Sequence, residues 1–255
     1  MTVRDKLIRY YSTKSKHSNY QMLPSRLKKM LGDDDVQTRT RFEVQRLRYI
    51  LEKVPIKGKS ILDIGGNTGF FTFELINAGA MSADYYEGNR EHAEFVKTAA
   101  KVLGLHNIQV LNKYFSFAGK RTKRYDVALL LNVLHHIGDD YGDKGILIEE
   151  AKKCIIRQLN SLKNTADILV FQLGFNWQGD PKRCLFEGGT KQEMINYVKD
   201  GVKNHWDIEF VGVAELIEGK IKYSDLSKKN IERDDSLGEF LNRPIFILKS
   251  KTPCQ

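Results

Sequence analysis

The 255-residue chain has little that would staple, anchor or segment it. Its three cysteines, Cys154, Cys184 and Cys254, are odd in number, widely spaced and free of any Cys-x-x-Cys pair, which excludes a disulfide framework and a zinc knuckle. Five prolines and the lack of any repeat or low-complexity stretch leave no obvious linker between independent domains. No apolar run approaches the roughly 20 residues that cross a bilayer; the longest, Val127 to Leu134, is strand-sized. The N-terminus MTVRDKLIRYYSTKSKH has neither an apolar core nor a small-residue cleavage site, so no secretory leader is expected and a cytoplasmic protein is. Nucleophile arrangements built on Ser or Cys and paired glycosidase carboxylates find no support either.

What is present is enough apolar material, 41% of residues, to build the core of one large α/β domain. Charge is abundant but uneven. Residues 1–30 carry eight Lys/Arg (Arg4, Lys6, Arg9, Lys14, Lys16, Arg26, Lys28, Lys29) against Asp5 alone, while the whole chain is only +9. Residues 1–40 therefore read as a basic helical extension before a domain spanning 41–255. The basic segment suggests an anionic partner, or else a solvated arm. We expect it to lie over or beside an acceptor crevice rather than to bind a cofactor.

Periodicity then organises the domain. Val44, Leu47, Ile50, Leu51 and Val54 fall at helical spacing before Pro55. Strand and helix signals alternate from there: Lys59–Ile64, a helix from Phe70 to Asn77, Met81–Glu87, Arg90–Leu103, Ile108–Leu111, Val127–Val133, Lys144–Leu162, Ile168–Leu173 and Lys191–Val198. Thr190-Lys-Gln-Glu193 is a capping box for the last of these. Such alternation predicts a doubly wound, mostly parallel sheet. Ile208–Val213 and Pro244–Leu248 close it as neighbouring strands, the final one antiparallel, with 214–242 between them as a charged, weakly helical insertion.

The strongest chemical signal is Asp63-Ile-Gly65-Gly66-Asn67-Thr68-Gly69, a strand that runs into a glycine turn and opens a helix. Glycines allow φ > 0 and let backbone approach a ligand at the carboxyl edge of a parallel sheet. The spacing is not that of a dinucleotide fingerprint. A second strand ends in Tyr85-Tyr86-Glu87-Gly88-Asn89, where a carboxylate is placed to accept hydrogen bonds from both ribose hydroxyls of an adenosine ligand. On these residues the sequence, over roughly 42–250, resembles the class I S-adenosylmethionine-dependent methyltransferases. The resemblance implies a Rossmann-like sheet of seven strands and S-adenosyl-L-methionine as cofactor. It makes Asp63, Gly65, Gly66, Asn67 and Gly69 the first motif, with Asn67 where glycine is commoner. It further implies Glu87 (or Asp84 in another register) as ribose ligand, Tyr114 and Phe115 at adenine, and Asn132 near the methionine end.

Methyl transfer to a hydroxyl also needs a base, because the acceptor must lose its proton. Candidates follow the fourth strand in His135-His136-Ile-Gly-Asp139-Asp140. On a strand end the two histidines would point to opposite faces, and His136 is preferred over His135 as the catalytic one. The same residues could instead be packing groups or hold a divalent cation; no metal is assigned. Asn176, Trp177 and Gln178 follow the fifth strand and could bind the acceptor, with the indole either stacked on it or plugging the domain. A sugar, glycan or other small-molecule O-methyltransferase is the first expectation. An RNA methyltransferase that uses the basic segment with Tyr10, Tyr11 and Tyr20 is the alternative.

Overall fold

The computed structural model describes residues 1–13, 21–32, 40–119 and 122–252; Lys14, Lys16, Tyr20 and Cys254 lie outside them. The chain divides into two compact units, residues 1–115 and 116–255.

The first unit opens with α1 (Val3–Ser12), α2 (Ser25–Leu31) and α3 (Glu43–Lys53). Thr2 and Asp5 form a reciprocal capping box at the start of α1, satisfying two otherwise unpartnered N–H groups. After these come β1 (Ser60–Ile64), α4 (Phe70–Asn77), β2 (Ser82–Tyr86), α5 (Arg90–Val102) and β3 (Ile108–Leu111). The strands are parallel in the order β3-β2-β1, with Asp63 beside Tyr85 and Tyr86 beside Leu111. Both crossovers are helical, as parallel neighbours require. α5 is started by Asn89, whose side chain accepts from the His92 N–H, and it buries Phe95, Val96, Ala99 and Ala100.

The basic segment is not a loose arm. Leu7, Tyr11, Leu23, Leu27 and Leu31 are buried in one cluster with Phe73, Tyr85, Phe95 and Val96. The Tyr11 ring sits 5.5 Å from that of Phe95, and burial pushes its hydroxyl pKa up. Arg4 and Arg26 donate to the Leu31 and Leu103 carbonyls. Apolar residues at helical spacing between the charges explain this: the charged face stays wet while Leu7/Tyr11 and Leu27/Leu31 face α5 and its neighbours.

The second unit contains β4 (Tyr125–Leu131), α6 (Ile148–Ser161), β5 (Ala166–Gln172), α7 (Lys191–Val202), β6 (Trp206–Ile217), β7 (Lys220–Asp225), α8 (Gly238–Leu241) and β8 (Ile245–Ser250). The capping box at Thr190 and Glu193 starts α7. The strand order is β4-β5-β8-β6-β7; β4 and β5 are parallel, and β8 lies antiparallel between β5 and β6. The reversed closing strand was legible in the sequence. The count differs, with eight strands rather than seven among the described residues. The first part of 214–242 extends β6 and turns back as β7, because Lys220-Ile-Lys-Tyr223 alternates in polarity and Glu218-Gly219, both at positive φ, make a two-residue hairpin turn.

Since the N-terminal helices contribute to the core of the first unit, Leu27→Ala should lower unfolding free energy by about 2–5 kcal/mol, the usual cost of a buried leucine. Urea denaturation measures it; a loss under about 0.5 kcal/mol, the surface range, would detach the segment from the fold.

Candidate active site

In the first unit the glycine turn leaves β1 and is held from the neighbouring strand. The Gly65 and Gly66 N–H groups donate to the Tyr86 carbonyl at 2.8 and 3.3 Å. Gly65, Asn67 and Gly69 take positive φ of 70°, 53° and 78°. Gly66 is required for a different reason: a Cβ there would run into the Tyr85 ring and lie 2.8 Å from Asp63 Oδ2. Asn67 accepts the left-handed conformation more readily than most side chains do.

Glu87 follows the tip of β2 and ties the turn together. Its Oε2 accepts from the Asn67 N–H and its Oε1 from the Asn89 N–H, both at 2.8 Å. The Tyr85 hydroxyl donates to the Asn67 carbonyl, and Asn112 Nδ2 donates to the Glu87 carbonyl at 2.9 Å. A carboxylate has about four acceptor positions, so these two backbone bonds do not by themselves fill it. Beside it Tyr114 is 60% exposed. Its ring lies against Gly88, where a Cβ would come within 2.5 Å of Cε1. Phe115 is buried edge-on to Tyr86, centroids 5.0 Å apart. An exposed aromatic ring, a glycine packed against it and a half-buried carboxylate next to it suit a purine riboside. Asp84, the other carboxylate of β2, is buried within the strand.

Asp63 lies beneath the turn rather than on its surface. It accepts from the Thr72 hydroxyl at 2.6 Å, and burial, with a smaller push from the Glu87 charge and against the Thr72 bond, raises its pKa to about 6.

In the second unit the fourth strand stops earlier than expected. Asn132 turns left-handed at φ 61°, and Leu134–His136 form a 3-10 turn. The histidines therefore do not face opposite ways: their rings are 4.2 Å apart and tilted by 40°. His135 is buried, its Nδ1 accepts from the Gly174 N–H at 3.3 Å, and a Cβ on Gly174 would meet its ring at 2.8 Å. His136 is partly open, with Nδ1 3.7 Å from Asp139 Oδ2 and 3.5 Å from Asp140 Oδ2. Ligand atoms of these three residues lie within 4.8 Å of one another, a set that could hold a cation.

Trp177, for which the sequence left open either stacking on an acceptor or plugging the domain, is only 2% exposed, as the plug requires. Its Nε1 donates to the Ile137 carbonyl at 2.7 Å, and the Arg183 guanidinium covers the ring at 3.9 Å. Gln178 accepts from Arg183, and Asn176 is half-buried with its side chain near Cys184. The indole thus pins the loop to the histidine turn.

Sequence reading missed the group that holds Asn132. Its Nδ2 donates to Gln172 Oε1 at 2.8 Å, and its Oδ1 accepts from Arg243 Nη1 at 2.7 Å. Arg243 is buried, paired with Glu239, and Glu239 Oε1 in turn accepts from the Phe175 N–H. No local signal marks a partner 111 residues away.

The raised pKa of Asp63 yields a stability test. An acid whose folded pKa exceeds its unfolded value of 3.8 holds its proton in the folded state; stability falls as pH rises from about 4 to 6, and the cost is complete above that. Asp63→Asn should therefore stabilise the protein at pH 8 by up to about 2–3 kcal/mol, with the gain vanishing near pH 4. Paired melts at the two pH values check this, and a destabilised variant at pH 8 would contradict it.

No protein-family model and no curated protein matches the sequence. Solved structures do match in fold. WbdD is 16% identical with a TM-score of 0.56; the match covers 96% of this chain and 41% of that one, so this chain spans less than half of WbdD. The magnesium protoporphyrin IX methyltransferase of Synechocystis PCC 6803, solved with bound SAM, is 15% identical with a TM-score of 0.51, covering 99% and 98% of the two chains. PH1948 from Pyrococcus horikoshii, described as a proposed RNA methyltransferase, is 14% identical with a TM-score of 0.50 over the whole of both chains. The chain has the fold of the class I methyltransferases.

Proposed function

We propose that the protein is an S-adenosylmethionine-dependent methyltransferase that modifies a hydroxyl of a sugar, glycan or other small molecule. The observation that carries the cofactor half is the Glu87 carboxylate, anchored by one backbone N–H on each oxygen beside an exposed Tyr114 and a glycine turn that admits no Cβ at Gly66. The bound SAM of the Synechocystis relative supports the same reading. Glu87 takes the ribose hydroxyls, Tyr114 and Phe115 the adenine, and the 65–69 turn the sulfonium end with its methionine chain. The cofactor, when bound, supplies an electrophilic methyl group on a sulfonium. Two neighbouring carboxylates, Glu87 and the buried Asp63, favour a ligand of positive charge.

On the acceptor side His136 is the base. Asp139 and Asp140, 3.7 and 3.5 Å from its Nδ1, stabilise by their charge the imidazolium formed when the other nitrogen takes the acceptor's proton. His135 is engaged with Gly174 and serves as its packing support. Among the described residues no helix is long and apolar enough to cross a membrane. An RNA acceptor is the second reading, favoured by one observation: the docked α1 and α2 leave Arg9, Lys28 and Lys29 exposed.

Glu87→Ala should weaken S-adenosylmethionine binding roughly 10- to 100-fold in calorimetry, the worth of charge-assisted hydrogen bonds, and more than Asp84→Ala does. No binding by the wild type would end the cofactor reading. His136→Ala should lower turnover about a hundredfold with cofactor affinity intact, and His135→Ala less. Labelled cofactor offered with extracted glycans and tRNA side by side checks this and names the acceptor class; activity abolished by EDTA and restored by manganese would replace the base with a metal at His136, Asp139 and Asp140.

A further inference from the structure

The helix α4 begins with a deficit that its own sequence does not cover. The first N–H groups of a helix lack intrahelical partners, and a Ser, Thr, Asp or Asn at the N-cap normally supplies one. Here the N-cap is Gly69, at φ 78° and so close to Val96 that a Cβ would stand 2.8 Å from Cγ2. A capping side chain has no room at that position.

The acceptor comes instead from the N-terminal segment. Gln21 Oε1 accepts from the Phe70 N–H at 3.2 Å and lies 3.4 Å from the Thr68 hydroxyl, which donates to it. A backbone N–H only donates, so the amide must present its oxygen here. Gln21 is itself fixed: the Tyr11 hydroxyl donates to its backbone carbonyl, and Tyr11 is wholly buried. Ser25 makes a second tie to the same helix, its N–H and hydroxyl reaching Glu74 at 2.5 and 3.2 Å.

We propose that Gln21 is a positioning residue for the cofactor, capping α4 from 49 residues away in sequence and thereby holding the 65–69 turn in its ligand-accepting shape. Through Gln21 the N-terminal segment then serves cofactor binding, a role its charge alone did not suggest. This inference rests on the cofactor reading given above.

The test is calorimetric titration of S-adenosylmethionine into the full-length wild type, Gln21→Ala and Gln21→Glu, together with hydrogen exchange at the Phe70 amide of the ligand-free proteins. Gln21→Ala should weaken binding about tenfold and speed Phe70 exchange, while the melting temperature falls by only about 2–4 °C, the cost of one lost cap. Gln21→Glu still offers an oxygen to Phe70 and should bind within about threefold of wild type. Wild-type affinity in the alanine variant, a glutamate variant as weak as the alanine one, or unchanged Phe70 exchange would each overturn the proposal. Failure of the wild type to bind at all would be a failure of the cofactor reading, and is told apart because Phe70 exchange still reports on the cap.

Discussion

The candidate cofactor site depends on one carboxylate that does two things. Glu87 must keep the turn after β1 and the start of α5 in register, which it does by accepting from Asn67 and Asn89. It must also retain lone pairs for a ligand. Had the turn been held by side-chain packing alone, a glycine-rich segment of this kind would be too free to bind well, since each glycine loses more entropy on ordering than any other residue. The carboxylate and the Tyr86 carbonyl fix the turn through its backbone instead. Gly66 can then approach Tyr85 and Asp63 without a side chain in the way.

That arrangement has costs, and the surrounding structure offsets them. Asp63 is buried near a second carboxylate and holds its proton to about pH 6, a poor choice for stability alone but a reasonable one beneath a cationic ligand. Gly69 leaves α4 uncapped, and Gln21 supplies the missing acceptor. Both features are local violations of good folding practice gathered at one turn, which is where function is expected to override stability.

Much of this was legible in the sequence where the signal is local. The alternation of strands and helices, the turn opening α4, the capping box at Thr190 and the antiparallel β8 all follow from residue periodicity and turn chemistry within short windows. The carboxylate at the tip of β2 was legible too, because strand length fixes its place. What periodicity does not encode is the choice of distant partners. Nothing local links Gln21 to Phe70, or Arg243 to Asn132, until the fold brings them together. The histidines were placed on a strand because Leu129–Leu131 continues smoothly into Val133; the left-handed Asn132, held by Gln172 and Arg243, ends that strand and stacks the two rings. Trp177 was ambiguous for a similar reason: burial by Ile137 and Arg183 depends on contacts formed only in three dimensions.

The central claim is that an adenosyl ligand shares the Glu87 carboxylate with the backbone of the turn. Titration of S-adenosylhomocysteine into isotope-labelled wild-type protein, followed through backbone amide resonances, addresses it most directly. The account predicts that the Asn67 and Asn89 amides, which donate to the two oxygens of Glu87, shift together and saturate at one ligand per chain. Saturable binding that leaves both amides unmoved would contradict it.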